Sequence, residues 1–170
     1  MKLLQYLIII MDKISNIFDK CIQYIVVLLL AALVLIVNAS VFYRYVLSNP
    51  VKWTEEISIY IIIYVVFLGS GMALKRGKHV GIRIILEKFP YSIKKIIEIV
   101  ISFGIIFFLL VLIRESYLLS IFSKMQRSPA VNISYYWRYI IVSIGGINMV
   151  IQTVNILFKD LFTLIKIIKY

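Results

Sequence analysis

Four long apolar runs, parted by short charged stretches, set the pattern of this chain. They lie at about Ile22–Phe42, Ile57–Leu74, Ile96–Ile113 and Tyr139–Phe158. Each approaches the roughly 20 residues that a helix needs to cross a bilayer. Ahead of the first run, Leu3, Leu4, Leu7, Ile10, Met11, Ile14, Ile17 and Phe18 recur at helical spacing, while Lys2, Asp12, Lys13, Asn16, Asp19 and Lys20 lie off that face. This spacing predicts an amphipathic helix over 1–20 lying in the membrane interface. The alternative is that it extends the first span as one long helix. A cleaved signal is not expected, because the run from Cys21 onward exceeds the apolar core of such a signal.

Turn chemistry divides the runs. Ser48-Asn49-Pro50 reads as a helix start, with proline at the first helical position. Glu55 and Glu56 then fall near the beginning of the second helix, and Trp53 sits at the depth of an interfacial aromatic belt. Gly77 is a plausible C-cap, with Lys75 and Arg76 at the negative helix end. Ile82, Ile84, Ile85, Leu86 and Phe89 suggest a short segment on the membrane surface, stopped near Pro90. The third helix is expected from about Tyr91 to about Ser123, longer than the bilayer core requires. A connection around Ser128-Pro129 leads to Tyr135, Tyr136 and Trp137, a second aromatic belt. The expected fold is therefore all-α: a single four-helix membrane domain over 1–170, with an N-terminal amphipathic helix and a short interfacial segment between helices two and three.

Composition agrees with the pattern. The chain is 62% hydrophobic and carries a formal net charge of +11. In a soluble protein that charge would point to nucleic acid; here it reads as topology. The N-terminal segment, the second connection and the C-terminal segment hold 13 of the 19 Lys and Arg residues, and the first and third connections hold 6. The positive-inside rule places both termini in the cytoplasm and the Arg44–Glu56 stretch outside.

Candidate chemistry is sparse. Adjacent glutamates on a helix diverge by about 100°, so Glu55 and Glu56 cannot both face one ligand. That disfavours an ion relay and favours a solvated edge or a packing role, with Arg44 a possible partner for one of them. Glu98 follows Lys94 and Lys95 at ion-pair spacing. Arg114 and Glu115 read as snorkelling side chains, and Asn38 as an interhelical hydrogen-bonding group. Gly69, Gly71, Gly145 and Gly146 suit close helix packing. His79 is the single histidine and Cys21 the single cysteine. A two-histidine haem site, a zinc ligand set, a nucleophile with its base and a phosphate loop are all missing from the pattern. No catalytic, cofactor or metal residue is assigned, and no enzymatic activity is expected. The first three spans also lack the broken helices of secondary transporters.

One ordered set of residues is more specific. Asn38, Val41-Phe42, Arg44-Tyr45-Val46, Pro50, Trp53, Glu55-Glu56, Phe67-Leu68-Gly69, Ala73, Arg76 and His79-Val80, followed by Gln126-Arg127-Ser128-Pro129-Ala130, resembles the DctQ-type small permease subunit of tripartite ATP-independent periplasmic (TRAP) transporters. The detailed resemblance covers roughly 38–81, and Tyr64 departs from it where the family pattern has tryptophan. The resemblance implies a scaffold subunit of a sodium-coupled transporter for organic acids such as dicarboxylates or sialic acid. Such a subunit sits in a bacterial or archaeal inner membrane. It braces a large elevator-type membrane subunit and helps dock a periplasmic substrate-binding protein. Sodium coupling would reside in the large subunit, and no cofactor is bound by this chain. The resemblance makes Asn38, Arg44, Tyr45, Trp53, Glu55, Glu56, Gly69, Arg76, His79, Gln126, Ser128 and Pro129 candidates for contact with a partner or with lipid. The competing expectations are the membrane anchor of a redox complex and a small self-contained channel. No nucleic-acid partner is expected.

Overall fold

A computed structural model describes residues 2–77 and 90–169. Four helices account for nearly all of them: α1 Lys2–Tyr45, α2 Lys52–Gly77, α3 Tyr91–Phe122 and α4 Tyr136–Lys169. All four are long and apolar enough to cross a membrane. The three prolines fall at positions 50, 90 and 129, one in each connection. The helix interiors thus escape the lost hydrogen bond and the ring clash that proline brings. Pro90 caps α3, and its carbonyl takes the Lys94 N–H at 3.0 Å. The interfacial segment expected between α2 and α3, and His79 with it, lie outside the described residues.

The helices run alternately up and down, and α4 is the hub. It packs on α1, α2 and α3; α1 also packs on α2, while α3 packs against α4. In its membrane window 56% of α4 is buried, against 6% for α1 and 11% for α3. This explains why α4 is the least apolar of the four: Ser143, Asn148, Gln152, Thr153 and Asn155 are all buried against neighbouring helices. The apolar core gathers Ile22 and Val26 of α1, Leu68 of α2 and Ile141 of α4. Gly145 lets α2 cross at very short range, since a Cβ there would lie 2.6 Å from the Phe67 carbonyl oxygen. Gly69 plays no such part. A Cβ at that position meets nothing within 4 Å, so the packing expected of it does not occur among the described residues.

The break expected near residue 20 is also missing. α1 is one continuous helix of 44 residues, roughly 66 Å at 1.5 Å per residue. Its first half stays on the bundle because its polar residues find partners there. Ser15 Oγ donates to Gln152 Oε1 at 2.6 Å, and both residues are fully buried. Asp12 accepts from Asn155 Nδ2 at 2.9 Å and pairs with Lys159 at 2.5 Å. Asp19 faces Lys75 at 3.6 Å and Arg76 at 3.7 Å. On the far side of α4, Lys95 bridges Glu98 and Asp160, each at 2.6 Å. The expected Lys–Glu98 pairing is thus present and reaches a second helix. These bonds tie all four helices together at the end that carries the two termini.

Candidate functional site

The opposite end is organised around the hinge between α1 and α2. Ser48 takes a left-handed backbone conformation (φ 50°), and the Asn49 N–H returns to the Tyr43 carbonyl at 3.0 Å. Six residues therefore reverse the chain. Thr54, buried to 1% exposure, donates its hydroxyl to the Val51 carbonyl at 2.6 Å and approaches Ser40 Oγ at 3.0 Å. The first turn of α2 is thus pinned to the last turns of α1.

The two glutamates diverge, as helical geometry requires, and each has its own partner. Glu55 forms an ion pair with Arg44 across the hinge. Glu56 turns to the α3–α4 connection and accepts the backbone N–H groups of Ala130 at 3.0 Å and Val131 at 2.9 Å. The second glutamate is therefore an internal clamp between the start of α2 and the α3–α4 connection, about 75 residues apart in sequence. A carboxylate accepting two amide N–H bonds makes charge-assisted contacts, the stronger kind of hydrogen bond.

The clamped connection is itself ordered. Ser123 closes α3, and a single antiparallel bridge joins Arg127 to Ser134. The Ser128 N–H reaches the Ile133 carbonyl at 2.9 Å, and the Tyr135 N–H reaches the Gln126 carbonyl at 3.0 Å. Asn132 occupies the left-handed position (φ 58°) at the tip, a conformation asparagine tolerates better than most residues. Ser134 serves both sides, donating to the Lys124 carbonyl at 2.7 Å and accepting the Tyr136 N–H at 3.2 Å to start α4. The Arg138 guanidinium lies 5.9 Å from the Tyr135 ring centroid. The Tyr64 hydroxyl donates to the Trp137 carbonyl at 2.9 Å, a second tie between α2 and α4.

The structure brings Arg44, Glu55, Glu56, Gln126, Ser128 and Pro129 to this one end. Tyr45 and Trp53 flank them, both exposed to the surroundings. Other candidates lie elsewhere. Asn38 donates to the Val34 carbonyl of its own helix at 2.7 Å, and among the described residues it makes no interhelical bond. Gly69 faces open space, and Arg76 sits at the opposite end, on Gln23 and Asp19. Arg114 and Glu115 pair with each other at 3.3 Å on the surface.

Several residues that do this positioning escaped the sequence reading: Ser40, Thr54 and the Ala130 and Val131 amides at the hinge, and Ser15, Asn148, Gln152 and Asn155 at the other end. The last three carried a usable signal. They recur with Lys159 at a spacing of three or four within an apolar run, a polar stripe on one helix face.

The site has the makings of a rigid joint. It offers an ion pair, a two-pronged acceptor and a braced connection, all engaged with one another. The sequence profile described as "Tripartite ATP-independent periplasmic transporters, DctQ component" matches residues 33–163. The chain is 27% identical over 140 residues to the ectoine TRAP transporter small permease protein TeaB of Halomonas elongata, covering 80% of this chain and 72% of the relative. It is 23% identical over 149 residues to the sialic acid TRAP transporter small permease protein SiaQ of Vibrio cholerae, covering 88% and 86%. A shorter match, 22% over 89 residues, joins it to the C4-dicarboxylate TRAP transporter small permease protein DctQ of Vibrio cholerae, over 52% of this chain and 38% of the relative. These relatives are transporter components and not enzymes. With the profile spanning most of its length and four membrane-crossing helices, the chain belongs to the DctQ component family of the tripartite ATP-independent periplasmic transporters.

Proposed function

We propose that this chain is the static bracing subunit of a sodium-coupled TRAP transporter in the inner membrane. It packs against a large elevator-type membrane subunit, and the hinge end helps receive a periplasmic substrate-binding protein. Both termini then face the cytoplasm, as the distribution of Lys and Arg favours. Substrate and sodium pass through the large subunit. The solute is an organic acid or a related polar metabolite, the class for which its relatives are named: ectoine, sialic acid and C4-dicarboxylate.

The observation that carries this reading is the disposition of polar and apolar surface. Polar contacts tie the helices at both ends of the bundle. Between those ends α1 and α3 turn most of their apolar surface outward, including Tyr24, Leu28 and Leu35 on one helix and Phe103, Phe107 and Phe108 on the other. A bundle held at its ends and apolar along its flanks is suited to widening the fixed frame of a neighbour. A carrier would instead need a polar site at mid-depth with helices free to move around it.

Co-expression with a large TRAP membrane subunit tests the reading. The expected result is a complex stable in mild detergent. Vesicles holding both membrane subunits should take up solute only when the binding protein is added. Solute accumulation by vesicles holding this chain alone would overturn it.

A further inference from the structure

The hinge contains a cleft that none of the bonds described above fills. It lies between the last turns of α1 and the first turns of α2 and has a volume of about 390 Å³, within the range of roughly 300–1,000 Å³ that holds small ligands. Its apolar wall is made by Val37, Val41 and Ile59, each about half exposed on the outer face of the bundle. The hydroxyls on its floor are already engaged: Thr54 with Ser40 and the Val51 carbonyl, and Ser58 with the Thr54 carbonyl at 2.7 Å. The interior therefore suits hydrocarbon. The rim differs. It carries one cation and one anion side by side, Arg44 and Glu55, with side chains 48% and 61% exposed.

We propose that this cleft binds one zwitterionic phospholipid, with an acyl chain along Val37, Val41 and Ile59 and the headgroup on the Arg44–Glu55 rim. Charge complementarity selects the ligand. The guanidinium fork matches a phosphate in two-pronged fashion, and the adjacent carboxylate accepts a primary ammonium. Phosphatidylethanolamine carries both groups a few bonds apart. An anionic lipid without the ammonium would bring its headgroup against Glu55 with nothing to offer it. The position is also right: the apolar run of α1 ends in the turn that bears Arg44, where hydrocarbon gives way to headgroups. An exposed ion pair contributes little by itself, so a headgroup inserted between the partners loses little internal stability. The site does not depend on the bracing role and stands if that role fails.

The full chain, purified in mild detergent and stripped of lipid, is offered phosphatidylethanolamine and phosphatidylglycerol in equal amounts, and retained lipid is counted by native mass spectrometry. The wild type is expected to hold phosphatidylethanolamine about tenfold over phosphatidylglycerol, the ratio one charge-assisted contact supports. Glu55→Gln should bring the ratio near one. Val41→Trp, which fills the cleft and spares the rim, should remove retention of both; either variant suffices should the other fail to fold. A photo-crosslinker at Ile59 should capture lipid in native membranes. Equal retention of the two lipids by the wild type, an unchanged preference in a folded variant, or capture of protein alone at Ile59 would each overturn the proposal.

Discussion

Gly145→Ala probes a close approach of one helix to the backbone of another. The added Cβ would lie 2.6 Å from the Phe67 carbonyl oxygen and 2.8 Å from both the carbonyl carbon and the Cβ of the same residue. Non-bonded heavy atoms are at ease near ~3.5–4.0 Å. The obstacle is backbone in the middle of α2, and no rotamer change can move it aside. The two helices must separate by most of an ångström, which also stretches the nearby bond from Asn148 Nδ2 to the Leu68 carbonyl, already 3.4 Å long. Overpacking of this kind costs about 1–3 kcal/mol, and alanine recovers at most about 1 kcal/mol of helix propensity over glycine. Gly69→Ala supplies the matched control. It lies on the same helix pair, keeps the propensity gain and meets nothing within 4 Å. The two variants should therefore differ by the clash alone, about 1–3 kcal/mol. Thermal or denaturant unfolding in mild detergent, followed by far-ultraviolet circular dichroism, reads the difference. If Gly145→Ala proves as stable as Gly69→Ala, the α2–α4 crossing is not as close as described, and the central place of α4 loses its main support.

Other perturbations address the polar ties. Gln152→Leu strands the buried Ser15 hydroxyl and should cost about 1–3 kcal/mol, whereas the double variant Ser15→Ala/Gln152→Leu should recover part of that loss. A double-mutant cycle in detergent should give a coupling of about 0.6–1.7 kcal/mol, and zero coupling would contradict the bond. Lys95→Met leaves Glu98 and Asp160 facing one another with their bridging cation removed, and unfolding should show a loss of up to about 3 kcal/mol. Glu56→Ala frees the Ala130 and Val131 amides. Hydrogen exchange at those two positions should accelerate while exchange in mid-α4 stays at the wild-type rate, and unchanged exchange at both would refute the clamp.

Much of the fold was legible because the bilayer allows few solutions. A run of about 20 apolar residues must satisfy its own backbone bonds, so Ile57–Leu74 or Ile96–Ile113 can only be helix once it lies in lipid. Glu55 and Glu56 were legible to the same degree: their divergence follows from helix geometry, and Arg44 was in reach of one of them. The partner of Glu56 was not legible. Two amides of a connection about 75 residues away leave no mark in residue type, because every residue other than proline offers the same N–H. Residues 1–20 misled for a related reason. Polar residues on one helix face look alike whether they meet headgroups or another helix, and the choice is made by Gln152, Asn155 and Lys159 on a helix far along the chain.

That last contrast bears on how the bundle fixes its own geometry. The face of α1 that meets α2 and α4 is built from Ile22, Val26 and Leu29, residues of similar size whose contacts would survive a shift of one turn. Lipid tails are as apolar as these side chains, so burial against a neighbour gives little preference for one register over another. The polar ties are not so tolerant. Sliding α1 by one turn would move it about 5.4 Å and part Ser15 from Gln152 and Asp12 from Asn155 at once, leaving buried donors and acceptors without water to replace them. At the other end the same slide would pull Ser40 from Thr54 and Arg44 from Glu55 across a connection of only six residues. Each bond is modest alone, but none can be kept in a shifted register, and their sum sets the height of α1 against the rest. Apolar packing holds the bundle together, while hydrogen bonds at its two ends choose which of several nearly equivalent packings is adopted.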